Sequence, residues 1–401
     1  MLFWLALQAA GAYDPQGVHV DPQGVLRSRT VDPDPRLAEI RKAGKDGPLA
    51  FISLLRLFEE ARKAPKPLPP DLRHMGGLTR IRYVFVYPDQ KDLVIAGPAE
   101  PFDGNAFRPL GKLSGRPVLH LDDLVTALRA FAAGKKPDRL GCDIDITREI
   151  QDRIAAKTKA IGPAAQVVGF RKTCDQIAEA GGPQPLKFYG IDPDTRFGFV
   201  CAEADYRLKQ LALGLMPPPT SKVESYRSLL TKPEREVRFS LESNYDALLA
   251  SPDGLAFELR GTSLRVNGGL LGDPASKPED MPAAGRRFVA LCNENFDVLV
   301  RHLLPWADLC NLGDLSVLAA LVSQELGEKA GWDLGWVLDS YPVTPMPAPK
   351  SAATLCSVSV QGTSAIFVTG GVWINPAEWA SKRRLDETLG KKASRPAAGW
   401  R

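Results

Sequence analysis

Proline fixes its own φ and lacks an amide hydrogen, so a run of prolines ends a helix and fits poorly inside a sheet. This chain carries three such runs: Ala64-Pro-Lys-Pro-Leu-Pro-Pro70, Pro217-Pro218-Pro219, and Val343 to Pro349. They divide 401 residues into segments that must each become compact, joined by proline-rich connections. The expected organisation follows: 1–12 a signal peptide, 13–66 an amino-terminal hairpin and helix region, and 67–216 a central α/β domain. Beyond these come 232–342, an α+β domain, 353–380, a small β region, and 381–401, a basic tail. The fold class expected is α/β or α+β, a mixed multi-domain chain of short sheets with packed helices. An apolar share of 44% is ordinary for proteins that bury real cores.

Periodicity fills in the segments. Asp14-Pro-Gln-Gly-Val18 recurs as Asp21-Pro-Gln-Gly-Val25, which predicts tight turns hinging short strands at Val18 to Val20 and Val25 to Arg27. An apolar-periodic helix is predicted from Pro48 to Lys63. Ile81, Tyr83, Phe85 and Tyr87 alternate along one strand, Pro88-Asp-Gln-Lys91 turns, and Leu93 to Ala96 returns as a core hairpin. Helices are predicted from Asp122 to Ala133, from Arg148 to Ala160, and from a cap at Asp194 or Thr195 to Leu215. Further on, Gly254 to Arg260 and Ser263 to Asn267 read as a hairpin, followed by long helices at Gly285 to Leu303 and Leu312 to Leu326. Cys356 to Val360, Ala365 to Thr369 and Val372 to Ile374 read as three short strands.

The formal net charge is +4, but Ser381 to Arg401 holds seven basic residues against two acidic, a net of +5, leaving −1 for the rest. A near-neutral body with a basic end gives little support for nucleic-acid binding, which needs a basic face spread over a folded domain, and no nucleic-acid partner is expected; the tail reads as a solvated, frayed terminus, with contact to an anionic surface or polymer as the alternative. No run of the sequence reads as a bilayer span, so no transmembrane segment is expected. Met1-Leu-Phe-Trp-Leu-Ala-Leu7 is apolar, and Ala10-Gly-Ala12 fits a small-x-small cleavage pattern, which points to export into the periplasm or beyond; a cytoplasmic chain is the alternative. The six cysteines, Cys142, Cys174, Cys201, Cys292, Cys310 and Cys356, could pair in an oxidising compartment, but they include no CxxC and several stand in apolar surroundings that suit buried thiols.

Chemical motifs are few. Asp143-Ile-Asp145-Ile-Thr147 matches the DxDxT pattern of haloacid-dehalogenase-type phosphotransferases, whose nucleophilic Asp ends a buried strand. Lys135 to Cys142 does not read as such a strand, and a cap for the helix beginning at Arg148 explains the motif better. Ala202-Glu203-Ala204-Asp205-Tyr206-Arg207-Leu208-Lys209 concentrates charge on one helix. Glu203 with Arg207 and Asp205 with Lys209 are i,i+4 pairs in the favourable order, which favours structural pairing. The functional alternative is a polar binding cleft lined by Glu203, Asp205, Tyr206 and Arg207. His19, His74, His120 and His302 show no metal-ligand spacing, no GxSxG elbow occurs, and the glycines near Lys112 fail the phosphate-loop pattern. Asp192-Pro-Asp194-Thr-Arg-Phe197 lacks the later ligands of a calcium loop. No cofactor and no metal are implied. Trp332 and Trp336 read as core packing, with stacking on a sugar as the alternative.

Four strings occur in order: Gly76-Gly-Leu-Thr-Arg-Ile-Arg-Tyr-Val-Phe-Val-Tyr-Pro88, Ala96-Gly-Pro-Ala-Glu100, Gly115-Arg-Pro-Val-Leu-His-Leu-Asp-Asp-Leu124 and Ala204-Asp-Tyr-Arg-Leu-Lys209. Together they resemble a planctomycete family classed as a domain of unknown function, numbered 1598, over most of the chain from the Asp-Pro-Gln-Gly turns to Leu326. The resemblance implies export and carries no activity and no functional residues. That family tends toward Cys-Ser-Ile-Asp-Pro where this chain has Cys142-Asp-Ile-Asp-Ile146, which leaves the DxDxT match particular to this sequence. The function expected is therefore a non-enzymatic scaffold of the cell envelope that binds an envelope protein or glycan; the alternative is a hydrolase with a dispersed active site.

Overall fold

The computed structural model describes residues 17–29, 37, 39–41, 44–103, 107–144, 146–162, 169–232, 234, 236–273, 275–358 and 365–389. The amino-terminal apolar run, Asp145 and the last twelve residues lie outside them. The chain is 42% helix and 24% strand, a mixed α+β architecture.

Sixteen strands are formed among the described residues: β1 Val18–Val20, β2 Val25–Ser28, β3 Leu49–Ser53, β4 Tyr83–Tyr87, β5 Asp92–Pro98, β6 Leu140–Ile144, β7 Pro183–Tyr189, β8 Val237–Asn244, β9 Ala247–Ala250, β10 Ala256–Arg260, β11 Ser263–Leu270, β12 Ser351–Ala353, β13 Ser357–Val358, β14 Ala365–Ile366, β15 Gly371–Ile374 and β16 Arg384–Leu385. The principal helices are α1 Leu54–Lys63, α2 Leu121–Ala130, α3 Arg148–Ile161, α4 Phe170–Gly181, α5 Arg196–Ala212, α6 Ala283–Glu294, α7 Phe296–His302, α8 Leu304–Leu321 and α9 Pro376–Ser381. Eight strands form one sheet in the order β1-β2-β12-β7-β6-β15-β8-β11, and six form a second in the order β16-β9-β10-β4-β5-β3.

Local signals made the elements that the sequence showed most clearly. In the β1–β2 hairpin, the Asp21 carboxylate accepts from the amides of Gln23 and Val25, Pro22 sets the turn, and Gly24 takes φ +80°. The β4–β5 hairpin turns at Pro88–Gln90 as expected, with Lys91 in the left-handed region at its exit. Thr147 caps α3 by accepting from the Ile150 amide, and Thr195 caps α5 by accepting from Gly198.

Other expectations change. The helix predicted from Pro48 begins only at Leu54, because Leu49–Ser53 pairs residue for residue with β5. Ser53 is the hinge: its hydroxyl caps Arg56 and donates to Asp92 at 2.6 Å. The hairpin predicted at Gly254 to Asn267 does not form. β10 pairs with β4 and β9, β11 pairs with β8, and the chain passes from one sheet to the other through Gly261 (φ +105°) and Ser263 (φ +70°). The segment before Asp143, not read as a strand, is β6, buried throughout. β7 was hidden by Pro183 and Pro185, which stand outside its pairing with β6 and face only the short β12. The basic tail is docked at its start: Arg384–Leu385 adds to β9, and Leu389 is fully buried.

α5 and α8 form the centre. α5 packs on β6, β8 and β15 with one side and on α8 with another, and all seventeen of its residues are buried. Residues 304–330 are helical over a length that could cross a membrane, and an 18-residue window within them reaches a mean hydropathy of 1.2; 89% of that window is buried inside the protein, as expected of a helix that is apolar all round. Trp306 is fully buried and donates from its indole N–H to the Ala204 carbonyl at 3.2 Å, locking α8 to α5. Trp332 packs on Phe58 with ring centroids 5.7 Å apart, and Trp336 on Phe58 and Tyr341, so both serve the core.

Candidate functional site

Charges placed on a helix that is buried all round must find partners or lose their ionisation. Successive residues of an α-helix are about 100° apart, so Glu203 and Asp205 leave α5 on opposite sides. Glu203 meets Arg108, Oε2 to Nη2 at 2.6 Å, and Arg108 Nε also donates to Asp308 Oδ2 at 3.0 Å. Arg196, at the first turn of α5, bridges the same Asp308 and Asp123. These five side chains are 8% exposed or less. On the other side, Asp205 pairs with Lys209, whose ammonium also reaches the Gly370 carbonyl at 3.0 Å beside β15. Burial outweighs Lys209 and pushes the Asp205 carboxyl up to about 7. Tyr206 turns toward Ser28 of β2, and Arg207 donates to Gln210, which in turn donates to Ser28. The four residues read from the sequence as a polar cleft thus diverge into the interior, and the Asp205–Lys209 pairing read beside them is present.

Next to this network, His74 and His120 meet edge to face with centroids 4.4 Å apart. Burial first, and then the charge of Arg196, hold His74 down at about 3 and His120 well below the usual imidazole range. Both are neutral, and no group of three or more His, Cys, Asp or Glu among the described residues has metal-binding geometry.

A constellation absent from the sequence reading lies on the eight-stranded sheet. Strand residues alternate between faces. Leu140, Cys142, Ile144, Phe239, Leu241, Val372 and Ile374 point to the core. The opposite face presents Asp143, Tyr189, Trp373, Arg238, Glu242, Arg265 and Asn267, aligned by the strand register: Gly141 sits between Tyr189 and Trp373, and Glu242 pairs with both Trp373 and Arg265. Gly141 and Gly371 keep this face shallow; a Cβ on Gly371 would stand 2.1 Å from Asp143 Oδ1.

Asp143 organises the cluster. Its Oδ1 accepts from the Trp373 indole N–H, its Oδ2 accepts from the Tyr189 hydroxyl at 2.9 Å, and Arg139 lies 3.8 Å away. The Arg139 guanidinium stacks on the Tyr189 ring at 3.9 Å and reaches the Trp373 ring at 5.4 Å, with Arg238 at 5.0 Å from that ring. Both carboxylate oxygens are engaged, so Asp143 is a positioning acceptor and not a poised nucleophile. Glu242 is likewise held, accepting from Ser240 and from Asn267, each at 2.7 Å. The surplus charge of the face is positive: Arg139, Lys187, Arg238 and Arg265 against two carboxylates that already hold neutral donors.

The β6–β7 end of this face opens into a cleft of about 1130 Å³. Its walls begin at Pro137 and Gly190, next to Arg139 and Tyr189, and include the exposed Lys135 and Lys136. The far wall is the proline-rich stretch after Leu338. It is pinned by Asp122, which accepts from the Tyr341 hydroxyl at 2.7 Å and the Thr344 amide at 3.1 Å, and by Asp194, which accepts from the Ala348 amide at 3.0 Å. Among the described residues the lining holds no His, Cys, Ser or Glu, and its carboxylates are Asp192, Asp194 and Asp339.

All six cysteines are free thiols, five of them buried. No curated protein and no solved structure matches the chain. A family model does match, over residues 142–226, a stretch that begins beside Asp143 and runs through β7 and α5. Over those residues the chain is similar to a family described as "Protein of unknown function (DUF1598)".

Proposed function

We propose that this chain is an exported, non-enzymatic binding scaffold whose ligand is an acidic glycan, taken up on the open sheet face and extended into the adjoining cleft. The observation that carries this reading is the Trp373–Asp143–Tyr189–Arg139 cluster. Sugar rings offer apolar C–H faces that stack on aromatic rings, hydroxyls that bond to fixed carboxylates and amides, and, in uronates, a carboxylate that suits a guanidinium. The cations of the face and Lys135 and Lys136 offer partners to uronate carboxylates, while Asp192, Asp194 and Asp339 of the same cleft offer acceptors to sugar hydroxyls.

The test uses the purified protein with an acidic polysaccharide, polygalacturonate, and a neutral one, dextran, followed by titration calorimetry. Binding to the acidic polymer is expected to weaken with added salt and to fall about tenfold or more in Trp373→Ala and in Arg139→Ala, the worth of one charge-assisted contact. Retention of neither polymer overturns the reading, and so does retention that both variants leave unchanged. Capture of a protein partner by the same face, lost in Trp373→Ala, would replace the glycan with a protein ligand. Export rests on the apolar run at Met1 to Leu7 and the small residues at Ala10 to Ala12. An intact mass from native cells lacking the residues through Ala12 supports it, and a full-length mass refutes it.

A further inference from the structure

Where the chain leaves β10 for β11, the crossing at Gly261, Thr262 and Ser263 lies against α8 and encloses a second, smaller pocket of about 80 Å³. Asp314 of α8 forms its base. This carboxylate is 1% exposed and accepts from the Ser263 hydroxyl at 2.6 Å, the Tyr245 hydroxyl at 3.1 Å and the Ile81 amide at 3.2 Å. Three donors on two oxygens leave little for Arg80, whose Nε stands 3.8 Å from Asp314 Oδ2, within Coulomb range and beyond hydrogen-bond reach. Arg80 Nε and Nη2 are both enclosed and have no hydrogen-bond acceptor among the described residues. Arg116 lines the same pocket and has no ion pair among the described residues. The acidic neighbours are Asp297, exposed at the rim, and Asp46, which acts on Arg80 through its charge.

Buried guanidinium donors without acceptors are costly, and the arrangement that repairs the cost is an oxygen-rich anion held by the planar N–H edge. We propose that this pocket binds a small oxyanion, a carboxylate or a phosphoryl group, between Arg80 and Arg116. Its volume equals the liquid share of roughly two to three waters, at about 30 Å³ each, which accommodates an oxyanion headgroup and little else. The ligand is therefore a free anion or the acidic end of a larger molecule that protrudes past Asp297. Asp314 is the positioning residue: by tying Ile81, Tyr245 and Ser263 to α8 it fixes the distance between Arg80 and the sheet crossing. The site is separate from the sheet face and stands whether or not that face binds glycan.

Inorganic phosphate, sulfate and glucuronate are titrated separately into the full chain by calorimetry and thermal melting, with ionic strength held constant by chloride. One saturable site is expected for at least one of them. Binding of phosphate or sulfate without glucuronate assigns a tetrahedral group, and the converse assigns a carboxylate. Arg116→Gln is expected to weaken that binding by about tenfold or more while leaving the ligand-free melting temperature unchanged, because Arg116 holds no ion pair. Arg80→Lys keeps the charge, loses the planar edge, and is expected to weaken binding as well. No saturable binding by any of the three at millimolar concentration overturns the proposal, as does equal affinity in Arg116→Gln.

Discussion

Replacing Arg108 by leucine tests whether the charges on α5 hold the fold or serve a ligand. Arg108 is 1% exposed and bonds Glu203 at 2.6 Å and Asp308 at 3.0 Å, both on carboxylates that are themselves 1% exposed. Its removal takes the 2.6 Å partner away from a carboxylate in the interior, whereas Asp308 keeps Arg196. Breaking one side of a buried pair costs about 3 to 5 kcal/mol, two to more than three orders of magnitude in the folding constant. Removing both partners, in Arg108→Leu with Glu203→Leu, takes the buried carboxylate away with its guanidinium and is expected to cost less than Arg108→Leu alone, a coupling of about 2 kcal/mol or more. Urea unfolding followed by tryptophan fluorescence measures this directly, since Trp306 sits between α5 and α8. An Arg108→Leu loss below about 1 kcal/mol, or single losses that simply add, would refute the account. The same variants are expected to leave polysaccharide binding intact, because Glu203 points away from the sheet.

The pair His74 and His120 makes stability pH-dependent with a definite sign: the folded imidazoles resist protonation, so the unfolded chain takes up the extra protons and stability falls as pH drops below about 6.5, down to about 3 for His74. His74→Leu removes one such proton, and its stability relative to the parent is expected to rise by about 1.4 kcal/mol per pH unit lowered within that window, read from urea midpoints at pH 6 and pH 4.5; a difference independent of pH would exclude the assignment. Asp205, raised by burial, opposes the trend: its contribution is complete below the ordinary carboxylate range and fades as pH rises through about 7. Gly371→Ala forces a Cβ onto Asp143 and the Cys142 carbonyl and is expected to cost about 1 to 3 kcal/mol and to change near-ultraviolet circular dichroism through Trp373; an unchanged spectrum and melting point would count against the packed cluster. Thiol titration is expected to proceed slowly in the folded protein and to give six equivalents after unfolding without reductant, and fewer would reveal disulfides.

The elements legible in the sequence were those whose cause is local. Asp21-Pro-Gln-Gly24 contains its whole turn, Thr147 and Thr195 precede their helices, and the alternation at Tyr83 to Tyr87 needs only its own hairpin. Elements settled by distant partners were not legible. Leu49–Ser53 has helical periodicity in isolation and becomes a strand because β5 is available. The chain at Gly261 looks like a hairpin turn and is a passage between sheets because β8, not β10, is the neighbour of β11. The charged helix was read as pairing within itself, since Arg108, Asp123 and Asp308, which meet its charges in the interior, lie 73 to 112 residues away from the α5 residues they contact. The aromatic cluster draws on residues 139, 143, 189 and 373, and no spacing within one window announces it.

The order of strands in the larger sheet also governs when this protein can be made. β15, from residues near the end of the chain, lies between β6 and β8, and β12 joins the amino-terminal hairpin to β7. Until about residue 374 has emerged during synthesis, the middle of the sheet has two open edges and no continuous core for α5 to cover. The larger sheet therefore closes late, with exposed strand edges in the interval. β15 is a late component of that sheet, and a product truncated before Gly371 leaves the β6 and β8 edges open and is expected to aggregate.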